Sequence, residues 1–171
     1  YVAIAMDLLA IAVAELASIS EQRIEKLVNP VISELPAFLT SKGGLNSGFM
    51  IVQVAAASIV SENKTLCHPA SVDTIPTSAD KEDHVSMGAW AARKATKVVT
   101  NARRVLAMEL FASSQGIEFL RPLKSSDRIE QLHAQIRTLV PAVESDRYFH
   151  DDIVALERLL ESGLLRKVVK V

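Results

Sequence analysis

A chain of 171 residues and 18.6 kDa fits one domain, or a piece of a larger one, on the usual scale of roughly 100–200 residues per domain. Lys and Arg (19) nearly balance Asp and Glu (20), the net charge is -1 and the pI is about 6.5, which excludes a single-sign field drawing in nucleic acid or an anionic membrane surface. Apolar residues at 49% and charged residues at 23% exclude a disordered chain, and the single cysteine, Cys67, excludes an intrachain disulfide framework and makes a reducing, cytoplasmic setting the default.

The N-terminus has neither the basic start nor the small-residue cleavage site of a signal peptide. Met6, Leu9, Val13, Leu16, Ile24 and Leu27 recur at helical steps and predict a helix from residue 2 to Val28, stopped by Asn29-Pro30. No capping residue precedes it, so the sequence reads as cut from a longer chain. Pro36 interrupts residues 33–39, and residues 40–44 are a loop by composition. The longest uncharged apolar run, Phe49 to Val60, is about 12 residues, below the ~18–20 of a membrane span, and Ala55-Ala56-Ala57 favours a buried helix. No membrane partner is expected.

Residues 63–80, with Pro69, Pro76 and many Ser, Thr and Asp, predict a long irregular loop, a kind of segment that often carries function. Thr77-Ser78-Ala79-Asp80 has a capping-box-like spacing and predicts a long helix from near Ser78 to a stop at Gly116. Val85, Ala89, Ala92, Val99, Leu106 and Leu110 mark its inner stripe, with Arg93, Lys94, Lys97 and Arg104 expected in solvent. Two shorter helices follow at 127–139 and 151–162, capped by Asp127 and Asp151 and punctuated by Pro141 and Gly163. The fold class is all-α, a long-helix bundle over residues 1–171 with no separate second domain. Mean hydropathy of +0.22 with 5% aromatic residues predicts more apolar surface than a small monomer hides, hence an oligomer.

Asp80, Glu82, Asp83 and His84, with His68 and Asp73 before them, form the most polar cluster. They lack the His-x-x-x-His or Cys-x-x-Cys spacing of a metal centre, and no metal is expected. The plainer reading puts the acids in a helix's first turn, where carboxylates complement the dipole. Cys67 beside His68 is adjacent in sequence only, and a lone cysteine is more often a small buried hydrophobe than a nucleophile.

Five segments stand in a familiar order: Gly44-Leu45-Asn46-Ser47-Gly48-Phe49-Met50, Ser61-Glu62-Asn63-Lys64, His68-Pro69-Ala70-Ser71-Val72-Asp73, Glu82-Asp83-His84-Val85-Ser86-Met87-Gly88 and Gln115-Gly116-Ile117-Glu118-Phe119-Leu120-Arg121-Pro122-Leu123. In sequence and separation, over nearly the whole chain, they resemble the C-terminal third of the histidine ammonia-lyases, methylidene-imidazolone-dependent members of the aromatic amino acid lyase family. The resemblance implies a mainly helical homotetramer that eliminates ammonia from L-histidine to give trans-urocanate in histidine catabolism. It implies an electrophile, the methylidene-imidazolone, formed from an Ala-Ser-Gly that this sequence does not contain, so the chain alone is expected to be inactive.

Position by position, the resemblance gives Glu82 as the active-site glutamate and Met50 and Val54 as residues lining the substrate pocket. In the phenylalanine and tyrosine lyases the Glu82 position is typically Gln and the Met50 position typically Lys, so both residues imply histidine as substrate. By helical spacing alone, Met50 and Val54 fit core packing equally well. Asn46 and His84 are candidates to orient the loop around Glu82 from behind, although a purely structural role fits them better. The alternative, from a different class, is a non-catalytic helical oligomerisation or scaffold module.

Overall fold

A computed structural model describes residues 1–165, so the last six residues of the 1–171 unit lie outside it. Helix α1 spans Val2–Val28, a short α2 spans Pro30–Ser33, and a 3-10 turn covers Ala37–Leu39. Then come α3 (Met50–Leu66), α4 (Gly88–Phe119), α5 (Asp127–Leu139) and α6 (His150–Glu161). Among the described residues there are no strands, only isolated bridges between Gly43 and Asn46 and between Thr77 and Glu82.

The seam between α1 and α4 is built from small side chains. Ala3, Ala10 and Ala17 recur every seven residues on α1, facing a run on α4 that includes Ala91, Ala95, Val98, Ala102 and Val105, and all are buried. A heptad of this kind keeps one edge of each helix on its partner, and alanine lets the backbones approach closely. This corrects the expected stripes. Leu9 and Leu16 are exposed, and on α4 the buried line is displaced by one residue, from 92, 99 and 106 to 91, 98 and 105. Lys94 is a second correction: it is buried, 4% exposed, and pairs with Asp7 at 3.4 Å across the seam.

Helix α1 is long and apolar enough to cross a membrane by length and composition alone, with 22% of that stretch buried. The twelve-residue test passed over it because Asp7 and Glu15 interrupt its apolar run. Its buried face is bonded into the protein, through Asp7 to Lys94 and through Ser20 to Glu109.

The main core lies where α3, α4 and α6 meet the lower half of α1, around Phe49, Phe111 and Phe149. Helix α3 is therefore buried on one face only: Val52, Ala56 and Val60 are covered while Ile51 and Val54 are exposed. Gly116 does not end α4 but lies inside it, where an added Cβ would sit 3.3 Å from Leu35 Cδ1. The helix stops at Phe119, just ahead of Arg121-Pro122, since a proline and the residue before it disfavour helix continuation. The predicted α5 and α6 hold to within a residue, although the residue before α5 is Ser126 and Asp127 lies in the first turn.

The end of α4 is locked to α5 by a forked ion pair. The Arg121 guanidinium bonds both oxygens of Glu130 at 2.9 Å, and the Ser125 amide adds a third bond at 2.9 Å. Arg121, then Ser125, hold the Glu130 carboxyl at about 2, against an ordinary 4.5. Because the folded value lies below the unfolded one, the stabilisation is complete above about pH 4.5 and is lost as the pH falls toward 2. Thermal melts across that window are expected to show a falling midpoint, with a shallower slope in Glu130→Gln; equal slopes would contradict the linkage.

Candidate active site

The segment carrying Glu82 differs from its expected form. Ser78, Ala79 and Asp80 all have left-handed backbone, with φ of 55°, 56° and 62°, so no helix begins there and α4 starts only at Gly88. Three successive L-residues in this region are strained by roughly 1–2 kcal/mol each. The turn is closed by two backbone bonds, Thr77 N to Glu82 O at 2.9 Å and Glu82 N to Thr77 O at 3.3 Å. The capping-box reading is therefore wrong in form and in partner: Thr77 Oγ1 donates not to Asp80 but to Glu82 Oε2, at 2.6 Å, and Ser78 Oγ reaches the same oxygen at 3.4 Å.

Glu82 is exposed, outside any helix and far from a helix's first turn, so dipole complementation does not explain its presence. Both hydroxyls use Oε2, which leaves Oε1 to accept a bond from an incoming N–H or ammonium. His84 is also exposed, and no hydrogen bond joins it to Glu82 among the described residues.

Met50 opens α3 and is half-buried; Val54, one turn on, is 56% exposed. They share a face, as their spacing requires. Just before them, the loop is held by a residue that sequence reasoning missed. Asp146 accepts the Ser47 amide at 2.7 Å and the Gly48 amide at 2.9 Å, while Asn46 Oδ1 takes the Asp146 amide at 3.1 Å. Asn46 thus supports the entry to α3 rather than the Glu82 turn, and its Nδ2 is buried without a partner. Nothing local in the sequence announces a clasp between residues about 100 apart. Gly48 has φ 54° and packs so closely that a Cβ would fall 2.5 Å from the Phe38 carbonyl, so this turn admits only glycine.

A cavity of about 410 Å³ lies between Gly48, Ile51, Met108, Tyr148, Phe149 and His150, and a second of about 360 Å³ lies beside His68, Trp90 and Lys94. Neither is lined by Asn46, Met50, Val54, Glu82 or His84, so neither is the expected substrate pocket. Among the described residues no three His, Cys, Asp or Glu side chains are grouped as a metal site. Cys67 is half-buried with Sγ 3.6 Å from the Ala10 carbonyl, and burial pushes its thiol up, the opposite of an activated nucleophile.

These features, long helices around an alanine seam with an acidic turn leading into the longest, define a class of all-α long-helix bundle. The sequence model of the aromatic amino acid lyase family matches residues 1–138, and the chain belongs to that family. Among its relatives, the histidine ammonia-lyase of Bos taurus is 59% identical over 160 residues, 94% of this chain and 24% of that protein. The crystal structure of histidine ammonia-lyase from Trypanosoma cruzi superposes with a TM-score of 0.95 at 54% identity, covering 98% of this chain and 33% of that one. Tyrosine aminomutase from Streptomyces globisporus has the same fold, with a TM-score of 0.92 at 34% identity over 98% of this chain and 32% of that one. The chain thus spans about a quarter to a third of these relatives' length.

Proposed function

We propose that this chain is part of a histidine ammonia-lyase, an enzyme that converts L-histidine to trans-urocanate and ammonia. The observation that carries the reading is the gradient of likeness within one fold: 54–59% identity to histidine ammonia-lyases against 34% to a tyrosine aminomutase. Glu82 and Met50, in place of the Gln and Lys of the phenylalanine and tyrosine lyases, support it. In this reading the Glu82 carboxylate holds an N–H of the substrate through Oε1, while Thr77 and Ser78 keep its other oxygen in place. Met50 and Val54 form one apolar wall, with the opposite walls supplied from outside these residues.

The methylidene-imidazolone of the full-length enzyme would form outside residues 1–171, which contain no Ala-Ser-Gly. Assembly into a homotetramer agrees with an α1 face that leaves Ile4, Leu8, Ile11 and Ile19 exposed at helical spacing, a stripe suited to a neighbouring helix. A cytoplasmic location agrees with one unpaired, partly buried thiol.

The test is a urocanate assay on the full-length parent protein and on residues 1–171 alone. Urocanate is expected from the former and none from the latter above a no-protein control. A full-length protein that binds but does not convert L-histidine, or does neither, would favour the scaffold alternative.

A further inference from the structure

We propose that the buried Asp7–Lys94 pair is a positioning device for Glu82, gripping the base of the 67–87 connection so that the turn at its tip is held in place; this rests on Glu82 meeting the substrate. Both side chains are almost fully buried, at 5% and 4% exposure, and each spends its remaining capacity on the connection's backbone. Asp7 Oδ2 accepts the Ser71 amide at 2.7 Å, and Lys94 Nζ donates to the His68 carbonyl. The pair therefore joins α1, α4 and residues 68–71 in one knot with a buried ionic centre.

As a source of stability the pair is poorly chosen. A buried ion pair rarely exceeds a well-packed apolar pair of similar volume, because both charges must be desolvated. Its neighbours show that an apolar seam is feasible, with Ala3, Ala70 and Ala91 on one side and Ala10, Ala95 and Val98 on the other. What apolar side chains cannot do is bind an amide and a carbonyl of the loop. Burial alone would push the Asp7 carboxyl up, yet the bonds from Ser71 and Ala70 and the Lys94 charge hold it below its ordinary value, so it stays ionised.

The connection needs such an anchor. Residues 72–84 are all exposed, so the hairpin has no core of its own. Its internal bonds, Val85 N to Thr74 Oγ1 at 2.8 Å and the Thr77–Glu82 bridge, fix its shape but not its place. The strained residues 78–80 add to the tendency to open. Among the described residues, placement is set at the base, by the knot at 68–71 and by the start of α4.

The experiment is a double-mutant cycle in the full-length enzyme, with kcat and KM for L-histidine measured for Lys94→Met and Asp7→Asn, each alone and combined with E82Q. Displacing a group by an ångström can reduce turnover by about 10²-fold, so Lys94→Met is expected to lower kcat by ~10-fold or more when Glu82 is present. In the E82Q background the same change should cost less than about 2-fold, since the group being positioned is gone. Asp7→Asn keeps shape and an acceptor for Ser71 and should give the same pattern, smaller, which covers the case that Lys94→Met fails to fold. Hydrogen exchange at the Thr77, Glu82 and Val85 amides should quicken in both variants. Equal losses in the two backgrounds, or unchanged kcat and exchange in a folded variant, would overturn the proposal. Normal turnover in E82Q alone would instead overturn the reading of Glu82, while faster exchange would still report the anchor.

Discussion

Glu82→Gln in the full-length enzyme is expected to lower kcat by at least ~10²-fold while leaving the thermal midpoint within about a degree or two, the size of a charge-assisted or proton-transferring contact at a reacting substrate. The replacement keeps the shape and one acceptor, so Thr77 Oγ1 can still bond it and the turn should close as before. It removes the negative charge and little else. The competing explanation, an acid stabilising a helix start by about 0.3–1 kcal/mol, has lost its structural basis, because α4 begins only at Gly88. Measuring kcat and midpoint on one preparation separates the roles. Normal turnover with a lowered midpoint would make Glu82 a residue that only closes its turn.

Phe111→Ala is expected to remove about 3–5 kcal/mol of folding stability, the range for deleting a fully buried aromatic ring. Phe111 is inaccessible and lies 4.6 Å from the Phe49 ring and 5.4 Å from that of Phe149, which are themselves 5.5 Å apart. The trio does more than fill space. Phe49 and Phe149 sit immediately before α3 and α6, and neither supplies a side-chain cap, so these helix starts are fixed by ring packing rather than by capping bonds. Loss of the central ring would leave a void behind Phe149, which lines the neighbouring cavity, and loosen the loop leading to Met50. Against a total stability of about 5–15 kcal/mol this is a large fraction. Denaturant unfolding of the isolated chain would check it. A change below about 1 kcal/mol would mean that the core is organised elsewhere.

The sequence by itself determined that the chain is helical and which segments form its five longer helices, α1 and α3 to α6, but not the short α2 or the 3-10 turn. The 3.6-residue recurrence in 2–28, 127–139 and 151–162, with Pro30 and Gly163 as stops, is local information, and local information survives in any helical packing. The proposed site residues Glu82, Met50 and Val54 come from motifs that resemble the family's, whose residue types are read without coordinates. Which face of each long helix is buried was decided only in three dimensions. Periodicity weights the largest apolar residues, whereas close approach of α1 to α4 selects the smallest, so Ala3, Ala10 and Ala17 lie inside and Leu9 and Leu16 outside. The start of α4 was misplaced for a related reason. Thr77-Ser78-Ala79-Asp80 has the residues of a helix cap, but its hydroxyls close a left-handed turn on Glu82, an outcome set by how the connection is anchored at both ends. The anchors are long-range: Asp7 meets Ser71, Lys94 reaches back to His68, and Asp146 clasps the loop at Ser47. Such contacts join residues with no periodic or spacing relation, so only the packed chain brings them together.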